Sequence, residues 1–435
     1  MLDLIIKNGS CYIDKGLKDQ DIAIKNGKII KIGKIDSESK EVFDAKGLTV
    51  LPGCIDTQTH FREPGSTDTE DLHSGSRAAI VGGITSVFEM PNTNPPTSNK
   101  IEFQNKLDLA KNRMYCNYAF YFGATPDNAA ELAKLKDLEG CCGIKLFAGS
   151  STGNLLVQHE EDIEKVFKSS SKVVAVHSED EEILNMNKKL IKEGDVHSHP
   201  IWRSEECAIS STRRIVRIAE RYKKKAHILH VTTKQEIDFL SQHKGNITFE
   251  ITPQHLTIYA PDCYDMLGTY AQMNPPLRDK SHYDRLWYGV KNNLNDTIGS
   301  DHAPHLKENK EKTYPNSPSG MPGVQTLLPV MLNHVNDGKL SLEQLMNSIC
   351  ENPVKIFGIK NKGFIKENFD ADFTIVDMNK KIIIENANIE SKCGWSPFDG
   401  FEFKGTPVST IIAGQIKMRD GKILGEPDGK PLNFK

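Results

Sequence analysis

Two rhythms of apolar and polar residues divide this chain. Near its start, short β-branched runs alternate with turn residues. Residues 4–7 and 22–24 read as strands, and Lys25-Asn26-Gly27-Lys28 reads as a hairpin turn into Ile29-Ile30-Lys31-Ile32. Asn-Gly suits such a turn because both residues accept the positive φ it requires. The far end repeats the style, with strand-like residues 373–376, 381–385 and 408–413 and a second tight turn at Arg419-Asp420-Gly421-Lys422. Between these ends, apolar runs at 83–90, 117–123, 143–147, 172–177, 226–231, 246–251 and 297–300 alternate with helical patterns such as 181–192, 205–222 and 234–242. Recurring strand–helix units predict an α/β fold with parallel strands and helical crossovers. Units in this number close most naturally into a (β/α)8 TIM barrel. An open doubly wound sheet is the alternative on pattern alone, weakened in its dinucleotide-binding form because no G-x-G-x-x-G follows a first strand. The polar stretch 307–319 reads as a mobile loop, one that could close over a substrate.

Composition narrows the picture modestly. The 435 residues exceed the roughly 250–300 at which a single core stops growing, so a large domain with a small appendage, or two domains, is expected. A content of 38% hydrophobic and 26% charged residues is ordinary for a globular protein. The net charge of −3 offers no footprint for nucleic acid. The one tight basic run, Lys223 to Lys225, reads as a solvated helix end. The start, MLDLIIKNGS, lacks the basic segment and cleavage site of a secretory signal. The apolar stretch 78–87 is far short of the roughly 20 residues a membrane span needs. Nine scattered cysteines argue against a disulfide framework and for a reducing, cytoplasmic setting.

The chemistry is suggested by where certain residues fall. His60 follows the apolar run 48–55, His177 ends 173–176, His230 ends 227–229, Asp301 follows 298–300, and Lys145 sits within 143–147. In a barrel, strand ends converge on one rim, where active sites of this fold lie. One strand-end histidine is ordinarily structural; three, with an aspartate and a lysine at separate strand ends, point to a metal site. Imidazole and carboxylate ligands suit zinc. A lysine ammonium has no lone pair to offer. Lys145 must therefore be deprotonated or modified, and reaction of the neutral amine with CO2 would give a carbamate able to bridge two cations.

Several blocks then carry a resemblance. Asp56-Thr57-Gln58-Thr59-His60-Phe61-Arg62-Glu63-Pro64-Gly65, Met90-Pro91-Asn92-Thr93-Asn94-Pro95-Pro96, Thr252-Pro253-Gln254-His255-Leu256, Met273-Asn274-Pro275-Pro276-Leu277, Ser300-Asp301-His302-Ala303-Pro304-His305 and Gly394-Trp395-Ser396-Pro397-Phe398 resemble, in order, the blocks of class I dihydroorotases of the amidohydrolase superfamily. The resemblance implies a barrel over residues 52–363 and a small β-sandwich built from both chain ends, 1–51 and 364–435. It implies reversible cyclisation of N-carbamoyl-L-aspartate to L-dihydroorotate in pyrimidine biosynthesis. His60, Lys145 as its carbamate, His177, His230 and Asp301 would hold Zn2+. Asp301 would also serve as the catalytic acid and base toward a metal-bound hydroxide. Arg62, Asn92, Asn274 and His305 match substrate-binding positions, which suits a substrate bearing carboxylates, since an Arg fork binds these bidentately. A homodimer is implied at the family level.

The chain departs from the family pattern at Gln58, where the first of two metal-binding histidines normally stands. An amide oxygen is a weaker ligand, so one zinc is expected to bind tightly through Lys145, His177 and His230, and a second weakly or not at all. Gln254 replaces a second histidine beside His255 in the same manner. Two other readings stay open: a cyclic amidase of the allantoinase or hydantoinase type, and a non-catalytic dihydroorotase-like subunit supporting aspartate transcarbamoylase. Retention of the other ligands and Asp301 weighs against the second.

Overall fold

The computed structural model describes residues 1–151 and 155–435. Eight parallel strands form its centre: Cys54–Thr59, Ile84–Glu89, Asn117–Gly123, Cys141–Phe147, Val174–His177, Ala226–Ile228, Ile247–Ile251 and Thr297–Ile298, each hydrogen-bonded to the next in chain order. All eight are buried along almost their whole length, as expected of strands covered by helices outside and packed side chains within. The first and last strands meet at the C-terminal rim. There Thr59 bridges His302, and the His60 amide donates to the His302 carbonyl at 2.7 Å. Asp56 reinforces the closure, its Oδ1 accepting from the backbone of both Gln58 and Ser300 at 3.1 and 3.0 Å. The sheet is therefore the barrel expected from the alternating pattern.

Both chain ends build the flanking β-structure. A four-stranded sheet comes from the first 44 residues, in the order Lys28–Ile32, Ile22–Lys25, Leu2–Lys7, Ser39–Asp44. A seven-stranded sheet interleaves the two ends, because Thr49–Pro52 pairs antiparallel with Phe373–Ile383. Leu4, Ile6, Ile22, Ile24, Val50, Phe373, Ile375 and Ile411 fill the space between. Both tight turns have the backbone their sequences require: Asn26 and Gly27 lie at φ 51° and 70°, and Asp420 and Gly421 at 50° and 77°. The apolar run 48–55 proves to be two strands broken at Pro52-Gly53, which is where the chain passes from sheet to barrel. The last residues leave the sheet for the barrel floor, where Leu432 and Phe434 pack with Phe88 and Phe357.

Two local expectations differ from the structure. The helix over 181–192 stops at Asn187 and tightens into a single 3-10 turn, Lys188–Leu190. The stretch 307–319 is anchored: it opens with the helical turn Lys307–Lys310, and Lys310 is completely buried. No helix among the described residues is long and apolar enough to cross a membrane.

Candidate active site

Each strand-end residue reaches the same rim pocket. Gln58, His60, Arg62, Asn92, Lys145, His177, His230, Asn274 and Asp301 line it, together with Phe147, Ser151, Ala303, Ser319 and Gly320. His305 stands beside it, its Nε2 3.3 Å from Arg62 Nη2. The ten residues singled out from the sequence are thus neighbours in space, although they span 247 positions from Gln58 to His305.

The ligand-type side chains come as two pairs. His177 Nδ1 and His230 Nε2 are 3.1 Å apart, and His60 Nε2 lies 3.3 Å from Asp301 Oδ1. Among the described residues no three or more His, Cys, Asp or Glu side chains converge as one cluster. Lys145 connects the pairs electrostatically, its charge acting on His60, His177, His230 and Asp301 alike. Burial holds all three imidazoles below their ordinary range, hence neutral and with a lone pair to offer. Burial also pushes the Lys145 ammonium down, against the opposing charges of Asp301 and Glu250. That favours the neutral amine, the form able to take up CO2. Two ligands of one tetrahedral zinc at about 2.0–2.1 Å stand about 3.3 Å apart, which is the spacing within each pair. The donor set therefore fits a divalent cation of the zinc type.

Neighbouring groups orient these side chains. Glu179 accepts from His177 Nε2 at 2.8 Å, which leaves Nδ1 as the free lone pair facing His230. A carboxylate behind a ligating histidine fixes its tautomer in this manner. Burial pushes the Glu179 carboxyl up, but Arg203 and His177 outweigh it and hold it at about 2. His60 Nδ1 sits 2.8 Å from Asn92 Oδ1, so Nε2 is left to face Asp301. Neither Glu179 nor Arg203 stood out in the sequence, because an isolated acid and an isolated arginine carry no spacing signal.

Gln58 occupies its position in an unusual manner. Its amide nitrogen donates to Asp301 Oδ1 at 2.8 Å, while its Oε1 is buried without a hydrogen-bond partner. Asp301 is pushed up by burial, against the pull of Lys145 and His177, so its carboxyl can be protonated or ionised near neutrality. Gln254 donates to the Ser300 carbonyl at 2.9 Å, bracing the segment that runs from the last barrel strand to Asp301, and its Oε1 is likewise unpartnered.

A cationic side chain lines the same pocket. Arg62 is buried, yet no carboxylate lies within 4.0 Å of it among the described residues. Its Nε donates to the Pro304 carbonyl at 3.2 Å. Burial brings its guanidinium down to about 10, which still leaves it cationic at neutral pH. His305 donates from Nε2 to the Ser319 carbonyl at 2.9 Å, and Asn274 Oδ1 accepts from His199 Nε2 at 3.1 Å.

A family model described as the amidohydrolase family matches residues 49–417. The dihydroorotase of Methanosarcina acetivorans is 35% identical over 444 residues, covering 98% of this chain and 94% of that one. The dihydroorotase of Pyrococcus furiosus is 34% identical, covering 98% and 96%. Among solved structures, the L-hydantoinase (dihydropyrimidinase) of Arthrobacter aurescens superposes with a TM-score of 0.94 at 30% identity, over 99% of this chain and 100% of that one. The dihydropyrimidinase of Brevibacillus agri follows this pattern, with a TM-score of 0.91 at 26% identity over 99% and 98%. With matches of this length and a rim populated in this way, the chain belongs to the amidohydrolase family and, within it, stands with the dihydroorotases.

Proposed function

We propose that this chain is a dihydroorotase, interconverting N-carbamoyl-L-aspartate and L-dihydroorotate, the third step of de novo pyrimidine synthesis. The observation that carries the reading is Arg62, a buried guanidinium beside the candidate metal site with no carboxylate within 4.0 Å among the described residues, in a chain matched over 98% of its length by a dihydroorotase. A cyclic amide bearing a carboxylate completes that arrangement. Arg62 grips the substrate carboxylate, Asn92 and Asn274 hold its oxygens, and His305, its N–H held by the Ser319 carbonyl, packs beside Arg62 as the wall of that subsite. Nine buried free thiols suit a reducing cytoplasm.

His177, His230 and a Lys145 carbamate would hold one zinc tightly, while His60, Asp301, the carbamate and Gln58 would offer a second, weaker position. Zinc supplies Lewis acidity toward the scissile carbonyl and brings the pKa of its water toward about 7. In ring opening, Asp301 accepts the proton of the attacking water and delivers it to N3 as the C4–N3 bond breaks. In ring closure, protonated Asp301 assists the departure of water after the carbamoyl nitrogen attacks. The buried position of Asp301 keeps both states accessible.

The hydantoinase-type structures favour a second reading, a cyclic amidase for substrates without a carboxylate. Arg62 would then lack a purpose. The test is hydrolysis of dihydroorotate by the purified chain, followed by ultraviolet absorbance, with zinc measured on the same sample. Turnover with about one zinc per chain is expected. Two zinc ions at full occupancy would overturn the role given to Gln58. Turnover of hydantoins but not dihydroorotate, after zinc and bicarbonate are supplied, would establish the second reading.

A further inference from the structure

A lysine that takes no part in the chemistry lies directly behind the substrate wall. Lys310 is fully buried, and its Nζ donates to three backbone carbonyls: Gln272 at 3.0 Å, Pro318 at 2.9 Å and Gly320 at 3.1 Å. An ammonium carries three N–H donors, and each has its acceptor. Those acceptors belong to two separate segments. Gln272 precedes Met273-Asn274, the segment that brings Asn274 to the pocket. Pro318 and Gly320 flank Ser319, and both Ser319 and Gly320 line the pocket.

The segments are stitched together around this point. The Gly320 amide donates to the Gln272 carbonyl at 2.9 Å. Gln272 Nε2 donates to the Ser317 carbonyl and to Ser319 Oγ, both at 3.0 Å, and Ser317 Oγ returns a bond to Gln272 Oε1 at 2.7 Å. The Ser319 carbonyl, held in place by its neighbours, receives the His305 ring at 2.9 Å. Trp395 closes the group: its Nε1 donates to the His305 carbonyl at 2.7 Å, and its ring lies 5.8 Å from Lys310 Nζ.

The Lys310 charge also reaches His305. With Arg62, it lowers the His305 imidazole below its ordinary range beyond the effect of burial. His305 is thereby kept neutral, with one N–H committed to Ser319. Among the described residues no carboxylate stands within 4.0 Å of Lys310 to answer its charge, and burial brings its ammonium down to about 7. A buried cation compensated only by carbonyl dipoles is costly, so a site that keeps one uses it to hold something.

We propose that Lys310 is a positioning residue that ties the Asn274 segment to the Ser319–Gly320 segment, and so sets the geometry in which Asn274, His305 and Arg62 receive the substrate carboxylate. It touches neither substrate nor metal ligand. Its loss should loosen binding of the carboxylate end and leave the acid–base step intact. This rests on the dihydroorotase reading, and wild-type turnover of dihydroorotate, measured first, tests that reading separately.

The experiment is steady-state kinetics of zinc-loaded Lys310→Met on dihydroorotate, with zinc content and thermal midpoint recorded on the same preparation. KM should rise tenfold or more while kcat stays within threefold and zinc content is unchanged. Ser317→Ala loosens the same knot more gently and covers the case in which Lys310→Met fails to fold. It should raise KM about threefold at unchanged kcat. KM within twofold of wild type in both variants overturns the proposal, as does a fall in kcat at constant KM, which would place Lys310 in the chemical step.

Discussion

Replacing Arg62 by methionine tests the proposed substrate most directly. In the structure the guanidinium spends one N–H on the Pro304 carbonyl, and nothing among the described residues hydrogen-bonds its Nη1. A carboxylate docking there would accept two charge-assisted hydrogen bonds, each contributing about 1.5–3 kcal/mol. Methionine preserves most of the buried volume and removes both, so about 3–6 kcal/mol of binding is at stake. Part of this is returned, because the variant no longer buries a cation whose desolvation already pulls the guanidinium down to about 10. At about 1.4 kcal/mol per decade, kcat/KM for dihydroorotate should fall by about 10²- to 10⁴-fold. The assay is initial-rate hydrolysis at pH 8, where Arg62 is still cationic, run in parallel with dihydrouracil, the same ring without the carboxylate. Wild type should lose a similar factor on dihydrouracil, and Arg62→Met should lose little more on that substrate. A variant within tenfold of wild type on dihydroorotate would refute the reasoning. So would equal losses on both substrates, since the arginine would then be supporting the fold rather than reading the carboxylate.

Four further outcomes follow from the site. Asp301→Asn should lower kcat by about 10²-fold or more while dihydroorotate still binds within a few-fold of wild type; a variant keeping a tenth of kcat would remove Asp301 from the proton transfer. Because burial raises the Asp301 pKa, its ionised form grows as pH rises through that raised value, so ring opening should accelerate and ring closure slow over the same interval. Lys145→Ala should lose zinc, with partial recovery on adding a short carboxylic acid such as propionate, and zinc retained at the wild-type level would contradict the carbamate. Glu179→Gln breaks a buried pair with Arg203 and frees the His177 tautomer. It should cost about 3–5 kcal/mol in denaturant unfolding and weaken zinc about 10- to 100-fold in a chelator competition; no change in either would make Glu179 a bystander.

Legibility in the sequence followed the physical range of each signal. The barrel could be read because its strands are buried on both faces and so appear as continuous apolar runs, such as residues 117–123, separated by helical patterns. The Asn26-Gly27 and Asp420-Gly421 turns could be read because positive φ restricts which residues fit. His60, Lys145, His177, His230 and Asp301 could be read because strand ends in a barrel are brought to one rim by the fold itself. Residues that act through another side chain left no such trace. Glu179 needs His177, Lys310 needs two distant segments, and Lys106, buried against Glu89 beneath the Asn92 block, needs a partner 17 positions away. In the sequence the stretch around Lys310 is merely polar, so it read as a mobile loop. Only the fold shows that its one buried lysine finds three carbonyls.

The backbone adds a reason to regard the rim as preorganised. Arg62, His230 and Asp301 each adopt left-handed conformations, at φ 62°, 38° and 44°. Such conformations cost non-glycine residues of order 1–3 kcal/mol each. They persist only where neighbouring bonds over-determine them, and those bonds are present. The His60 amide is held by the His302 carbonyl, the Val231 amide by the Glu250 carbonyl at 2.8 Å, and the Ser300 amide by Asp56 at 3.0 Å. Each clasp lies within two residues of a strained one. In each case the left-handed residue is one proposed to grip the carboxylate, hold the zinc or move the proton. A chain free to relax would turn these side chains away from the pocket. The closed barrel prevents that, so the groups stand in place before a substrate arrives and binding need not supply the energy to assemble them.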